Sequence, residues 1–411
     1  MTKITSTILL LVAFISASQV YAQNSSQQIP VSLSLDSVIS IAMKNNLVLQ
    51  SSQLSVIQQQ KLRKTAWDFG KTGVFYENED LIKDESSNKG VLKIGFTQSI
   101  EFPTTYLAQN NYNKQAITIA QTSFTLSQKE VLRNVRRGYY NLWFAVEKQK
   151  LLSQQDSIFS DFENAAMLRY QSGETNKLEM ISAKAKHKEI QMAWQAGKAD
   201  VIIAQQEMLK LLNTTQLILP ENIAMAKLNS PLPDSQLPVS NHPLLNIYQQ
   251  RVTLANYQRK IEVNKLLPDF SVRYFNQNWY GTSPGYYGYS FGIGIPLLNW
   301  GQKSRIQGAK LQQQIAQKDF EDITLQFNTG YNQAVQEFVK QQQLLAYYEN
   351  TGKQYADEIL NSAKLAFKNG EIGYIEYATL LSQSIDIKNN YLSALTNFNQ
   401  SIIQINYYIN K

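Results

Sequence analysis

Leu168-Arg169-Tyr170-Gln171-Ser172-Gly173-Glu174 returns later in the chain as Leu365-Ala366-Phe367-Lys368-Asn369-Gly370-Glu371, 371 − 174 = 197 residues on. Solenoid repeats have periods of about 20–50 residues. Here the duplicated unit is therefore half of a 411-residue chain. The match runs outward at nearly constant offset. Leu178-Glu179-Met180 answers Ile375-Glu376-Tyr377, Gly138-Tyr139 answers Gly330-Tyr331, and Phe102-Pro103 answers Ile295-Pro296. Asn45-Asn46-Leu47-Val48-Leu49 lines up more loosely with Ser240-Asn241-His242-Pro243-Leu244.

Upstream of each Gly-Glu pair lies a long stretch of helical periodicity. In the second half Ala316, Phe320, Ile323, Phe327, Tyr331, Ala334, Phe338, Leu345, Tyr348, Tyr355, Ile359 and Ala363 are spaced by threes, fours or their sums, and the other positions are mainly Gln, Asn, Lys and Glu. That is a narrow apolar seam on a wet helix. Residues 107–170 carry a comparable seam, and no proline interrupts either stretch. At 1.5 Å per residue each helix would run about 95 Å. Shorter helical patterns flank them at about 34–67 and 177–212, and at about 243–266 and 374–409. Together the two short helices of a half match the long one, so stacking end to end beside it is expected.

Between the first short helix and the long helix of each half, the period changes to two. Phe270, Val272 and Tyr274 alternate with Ser271, Arg273 and Phe275, and Tyr289, Phe291, Ile293 and Ile295 alternate with Ser290, Gly292 and Gly294. Val74, Tyr76, Leu92, Ile94 and Phe96 repeat the pattern in the first half, around the polar turn Lys83-Asp84-Glu85-Ser86-Ser87-Asn88-Lys89. Each half thus contributes a β-hairpin, at about 72–103 and 269–296, with one apolar face and one small, polar face, as in a membrane barrel strand. Trp279, Tyr280, Tyr286 and Tyr287 suit an interfacial aromatic girdle. Four strands cannot close a barrel, and hydrocarbon does not tolerate an open sheet edge. Hairpins in a membrane therefore demand an oligomer.

Composition narrows the rest. Lys3, the run Ile8 to Ile15 and Val20-Tyr21-Ala22 before Gln23 read as a secretory signal over residues 1–22, so export is expected. The chain has no cysteine, which excludes disulfides and lipidation through an N-terminal Cys. The net charge of +7 comes from scattered Lys and Arg alternating with acids, without the clustering of a nucleic-acid footprint. His187 and His242, the two histidines, stand in different halves and are expected to be surface polar residues rather than metal ligands. No nucleophile–base or phosphate-loop spacing appears, so no enzyme, cofactor or metal site is expected.

The order of these features resembles the TolC family of outer-membrane efflux channels. The likeness is carried by Leu35-Asp36-Ser37-Val38-Ile39-Ser40-Ile41-Ala42-Met43-Lys44-Asn45-Asn46, by Gln98-Ser99-Ile100-Glu101-Phe102-Pro103, by Ile295-Pro296-Leu297-Leu298-Asn299-Trp300-Gly301-Gln302-Lys303-Ser304-Arg305, and by the two Gly-Glu tips. Leu267-Pro268 enters the second hairpin as family members do, while Lys71-Thr72-Gly73 stands at that place in the first. Ile100-Glu101-Phe102-Pro103 looks like channels paired with heavy-metal pumps.

The resemblance implies a mostly α fold with β-hairpins. Residues 23–219 and 241–411 would be its duplicated half-repeats, joined by a linker at 220–240. Three copies would form a trimeric 12-stranded β-barrel in the outer membrane, continued by a long α-helical barrel in the periplasm. The expected partners are outer-membrane lipid, a periplasmic adaptor and an inner-membrane pump, the resistance-nodulation-division type being favoured. The expected activity is a passive, gated efflux duct for small toxic solutes, either drugs or metal cations. An outer-membrane duct of type I protein secretion shares the fold, and a periplasmic coiled-coil adaptor or scaffold is the rival of another class.

Gly173 and Gly370 would reverse each long helix, with Leu168, Tyr170, Leu365 and Phe367 beside them as adaptor-docking residues. Glu376, and its repeat partner Glu179, are the candidates for an acidic ring at the periplasmic gate.

Overall fold

A computed structural model describes residues 29–79, 90–221, 225–229, 241–278 and 285–409. The signal segment, the Lys83–Lys89 turn, Trp279 and Tyr280 lie outside the described residues. In chain order the elements are β1 (Val31–Leu33), α1 (Leu35–Asn45), α2 (Leu47–Leu62) with a 3-10 turn at Arg63–Trp67, β2 (Gly73–Glu79), β3 (Val91–Ile100), α3 (Pro103–Gln171), α4 (Lys177–Leu212) and β4 (Ile218–Pro220). The second half follows as α5 (Pro243–Asn264), β5 (Asp269–Gln277), β6 (Tyr286–Gly294), α6 (Trp300–Tyr347), a π-helical turn (Tyr348–Gly352), α7 (Lys353–Lys368) and α8 (Tyr374–Tyr408).

The 69 residues of α3 make a rod of about 100 Å. Its seam residues Val135, Tyr139, Leu142, Leu152, Phe159 and Phe162 are all buried. Against α3 pack α2 at one end, α4 along the other, and α5 and α8 from the second half. The short helices do meet end to end. Asn46 caps α2 by accepting from the Val48 amide at 2.9 Å, while its Nδ2 donates to the Leu211 carbonyl at the far end of α4 at 2.8 Å. One residue thus ends one helix through its backbone amide, and through its side chain starts the next and joins it to a third.

Two features depart from the sequence expectation. Val31–Leu33 and Ile218–Pro220 form a short parallel pair, and the Tyr139 hydroxyl donates to the Leu33 carbonyl at 2.8 Å. This ties the start of the described chain to the segment leaving the first half. The second long helix is also not continuous. At Tyr348–Gly352 a wide turn takes up additional backbone, which moves the buried seam by one residue. Gly352 and Ala356 are buried, whereas Tyr355, a seam residue by sequence, is 52 % exposed. The two glycine landmarks account for it: 173 − 138 = 35 residues separate them in the first half and 370 − 330 = 40 in the second, a surplus of five. Four of those make roughly one turn at 3.6 residues per turn, and the fifth would rotate the apolar face away unless the helix widens locally.

The four long strands form a single antiparallel sheet in the order β2-β3-β5-β6, so the hairpins of the two halves are joined through β3 and β5. Among the described residues, both outer strands, β2 and β6, have one edge without a partner.

Candidate functional site

The three regions singled out by sequence lie at the two ends of the molecule. At the helical end, Gly173 and Gly370 have φ of +78° and +77°, the left-handed conformation of a residue just past a helix. Around Gly173 the amides of Ser172, Gly173 and Glu174 donate to the carbonyls of Leu168, Tyr170 and Arg169. Asn369, Gly370 and Glu371 donate likewise to Leu365, Phe367 and Ala366. The two tips are therefore the same Schellman motif made twice.

Leu168 and Leu365 project at 65 % and 61 % exposure, and Tyr170 is also exposed. Phe367 differs. It stacks on Tyr377 with ring centroids 4.7 Å apart and faces Phe162, which in turn stacks on Tyr374 at 4.0 Å. Between the tips these rings floor an open groove of about 1500 Å³ whose rim carries Arg169, Glu174, Lys364 and Glu371. Burial, followed by the charges of Glu163 and Glu179, raises the Tyr374 hydroxyl above the ordinary tyrosine range, so it stays neutral.

Glu179 and Glu376 occupy the third position of α4 and α8 respectively. Glu376 is exposed. Glu179 is half-buried, accepts a hydrogen bond from the Thr175 hydroxyl, and its amide donates to the capping Asn176 side chain at 2.9 Å. An acid in the first turn complements the helix dipole in both cases, and Glu179 is further held by its Thr175 and Asn176 contacts.

At the opposite end the sheet has two unlike faces. Val74, Tyr76, Ile94, Phe96, Tyr289 and Phe291 share one face, with Val74 at 82 % and Phe291 at 75 % exposure. Of the two girdle tyrosines described, Tyr287 lies on this face and Tyr286 on the other, because neighbouring residues of a strand alternate. The second face is not merely small and polar, as its sequence suggested. It carries Phe75 and Phe275 among Glu77, Lys93, Thr97, Ser271 and Arg273.

Sequence reading misassigned both histidines and overlooked Glu262. His242 is 1 % exposed. It caps α5 by accepting from the Leu244 amide at 3.2 Å, as Asn46 caps α2, and its ring lies against Phe327 and Tyr407. Burial first, then the nearby Lys129 charge, lower its pKa to about 4, against the weaker opposing effect of the Tyr407 backbone. His187 lies between α4 and α3, with Nδ1 2.5 Å from Glu163 and Nε2 3.4 Å from Asp156. His242 is buried and His187 partly so because a helix junction or helix pair covers each, which a residue's own sequence neighbours do not show. Glu262, 8 % exposed at the end of α5, accepts from Gln302 at 3.0 Å and Lys265 at 3.0 Å. Burial alone would raise its carboxyl, but those hydrogen bonds and the charges of Lys265 and Arg305 outweigh it and hold the pKa below the ordinary value. The contact pins the two helices that lead into and out of the second hairpin. Among the described residues, no group of three His, Cys, Asp or Glu is placed to hold a metal ion, and no helix is long and apolar enough to cross a membrane.

Residues 235–410 match the family described as outer membrane efflux protein. Among solved structures, the chain is similar to the CmeC outer membrane channel of Campylobacter jejuni, with a TM-score of 0.78 at 15 % identity, covering 91 % of this chain and 85 % of that one. It is equally similar to CusC, with a TM-score of 0.78 at 14 % identity and 95 % of each chain covered. The open state of the MtrE outer membrane channel of Neisseria gonorrhoeae gives 0.75 at 15 % identity, over 91 % of this chain and 88 % of that one. No curated protein matches the chain by sequence.

Proposed function

We propose that this chain is one third of a passive efflux duct, a reading supported by the match of residues 235–410 to the outer membrane efflux protein family and by a fold like that of solved outer membrane channels. The observation that supports this best is the sheet. One face is bare and apolar, and both of its edges lack partners among the described residues. Such a sheet is unstable alone in water and in hydrocarbon alike. Three copies, contributing 3 × 4 = 12 strands, would remove every edge and turn the apolar face to lipid. The rods of α3 and α6–α7 would then continue the barrel as a tunnel through the periplasm.

In this reading Leu168, Tyr170 and Leu365 are the exposed apolar contacts for an adaptor's helical hairpin, and Phe367 belongs to the groove floor that receives it. Gly173 and Gly370 set the sharp reversal that presents them. An inner-membrane pump of the resistance-nodulation-division type supplies the energy, and the cargo is small toxic solutes, drugs or metal cations. Three exposed Glu376 carboxylates around the entrance would concentrate cations, with Glu179 in a lesser role.

Purified protein is expected to run as a trimer and to form pores in planar lipid bilayers. Glu376→Lys is expected to lower cation over anion selectivity, and Glu179→Lys to do so less. Unchanged selectivity in Glu376→Lys would remove that residue from the entrance. Release from membranes by a salt wash, with no trimer, would sink the duct itself.

A further inference from the structure

A water-filled barrel needs a polar inner wall, yet one row across this sheet reads phenylalanine, glycine, phenylalanine, glycine. Phe75 is paired with Gly95, Gly95 with Phe275, and Phe275 with Gly288. The Phe275 ring lies flat over Gly288, where a Cβ would stand 2.3 Å from the ring edge. Covering a strand glycine with an aromatic ring is a known way to stabilise a sheet, and it explains the posture of Phe275. It does not explain the charges gathered around the rings.

Cations stand over both. The Arg273 guanidinium is 3.8 Å from the centre of the Phe75 ring and 5.7 Å from that of Phe275, and the Lys93 ammonium is 6.0 Å from Phe275. Each cation has its carboxylate: Glu77 pairs with Arg273, and Glu79 lies 2.5 Å from Lys93. Arg273 reaches Glu77 and Phe75 on β2 across the intervening strand β3, over the position where Gly95 has no side chain. The row therefore displays, filled by its own side chains, the contacts that recognise a planar cation: a ring face below and a carboxylate at the edge. The two fillings are unequal. Arg273 is in close contact, whereas Lys93 sits at about the outer limit of a cation–π interaction, and its partner Glu79 is exposed.

We propose that Phe275, with Glu79 beside it, is a contact site for planar organic cations on the inner wall of the duct, with the Phe75–Arg273–Glu77 stack as its permanently filled neighbour. The site rests on the duct reading above. A passing solute lays its ring on Phe275, displaces Lys93, and is neutralised by Glu79, once per copy.

The test uses single pores of the full-length protein in planar bilayers, with ethidium added on one side as the probe. Brief current interruptions whose frequency rises with ethidium concentration are expected. Phe275→Leu keeps bulk over Gly288 but has no π face, and is expected to shorten the interruptions about three- to tenfold. Glu79→Gln, which leaves the aromatic row intact, is expected to shorten them as well, and decides the matter if Phe275→Leu fails to assemble. Pores that conduct but show no ethidium interruptions, or interruptions of unchanged duration in the variants, would overturn the site and leave the duct standing. A protein that forms no pores would overturn both.

Discussion

Acid should loosen the packing at the start of α5, and His242 sets the scale. The ring is buried between Phe327 and Tyr407, and its Nδ1 is occupied by the Leu244 amide. In the folded chain its pKa falls to about 4 from the ordinary 6.5. A depressed base stays neutral when folded. Below pH 6.5 the unfolded chain binds a proton that the folded chain does not, so stability falls as the pH drops from about 6.5 toward 4 and levels off below. At about 1.4 kcal/mol for each tenfold change in proton affinity, the fall from 6.5 to about 4 corresponds to roughly 3 kcal/mol per chain. Most of this should be lost by pH 4.5. The comparison is His242→Asn, which keeps a good helix cap, as Asn46 does in the first half, and has no proton to take up. Denaturant unfolding of both proteins in detergent at pH 7.5 and 4.5 removes the contribution of every other titrating group by subtraction. His242→Asn should lose less stability on acidification by about that amount. Equal losses in the two proteins would refute the argument.

Two further outcomes follow from the helical end. Gly173→Ala and Gly370→Ala should each cost about 1–2 kcal/mol, measured as a lower unfolding midpoint, because a Cβ at either place meets only open space and the cost is that of a left-handed backbone. Deleting Thr351 should remove the surplus residue and convert the wide turn to ordinary helix with the seam below it left in place, so that the unfolding midpoint holds or rises and the second tip keeps its hydrogen-exchange protection. A deletion variant that melts several degrees lower, with an unprotected tip, would show that the turn does not absorb a surplus residue.

Much of this architecture can be read from residue spacing, because long amphipathic helices and alternating strands advertise their periods directly. Seam residues Val135, Leu142, Phe159 and Phe338 are buried where threes and fours put them. What spacing does not reveal is contact between segments distant in the chain. Asn46 reaching Leu211, Tyr139 reaching Leu33, and His242 under Tyr407 are each made across more than a hundred residues. Tyr355 was misplaced for a subtler reason. It continues the pattern of Tyr348 by seven residues, but the helix between them is not α throughout. Phe275 alternates with Val272 and Tyr274 in sequence, but only the register across four strands sets it in a row with Phe75 and the glycines. Of the tip residues, Leu168 and Leu365 project as helix ends do, while Phe367 is held by Tyr377 from the returning helix.

Three copies of a chain built twice would offer six near-identical legs, and on sequence symmetry alone a push on any one would be met equally by all. The wide turn at Tyr348–Gly352 breaks that equality. α3 has no corresponding interruption along its 69 residues, so one leg of each chain is a plain strut and the other has a joint part way down. Wide turns of this kind replace well-aligned helix hydrogen bonds with poorer ones and often mark places that bend. A ring of six would then bear load as two interleaved tripods, one stiff and one compliant. Its lowest-energy deformation would have threefold rather than sixfold symmetry, with the compliant set moving first.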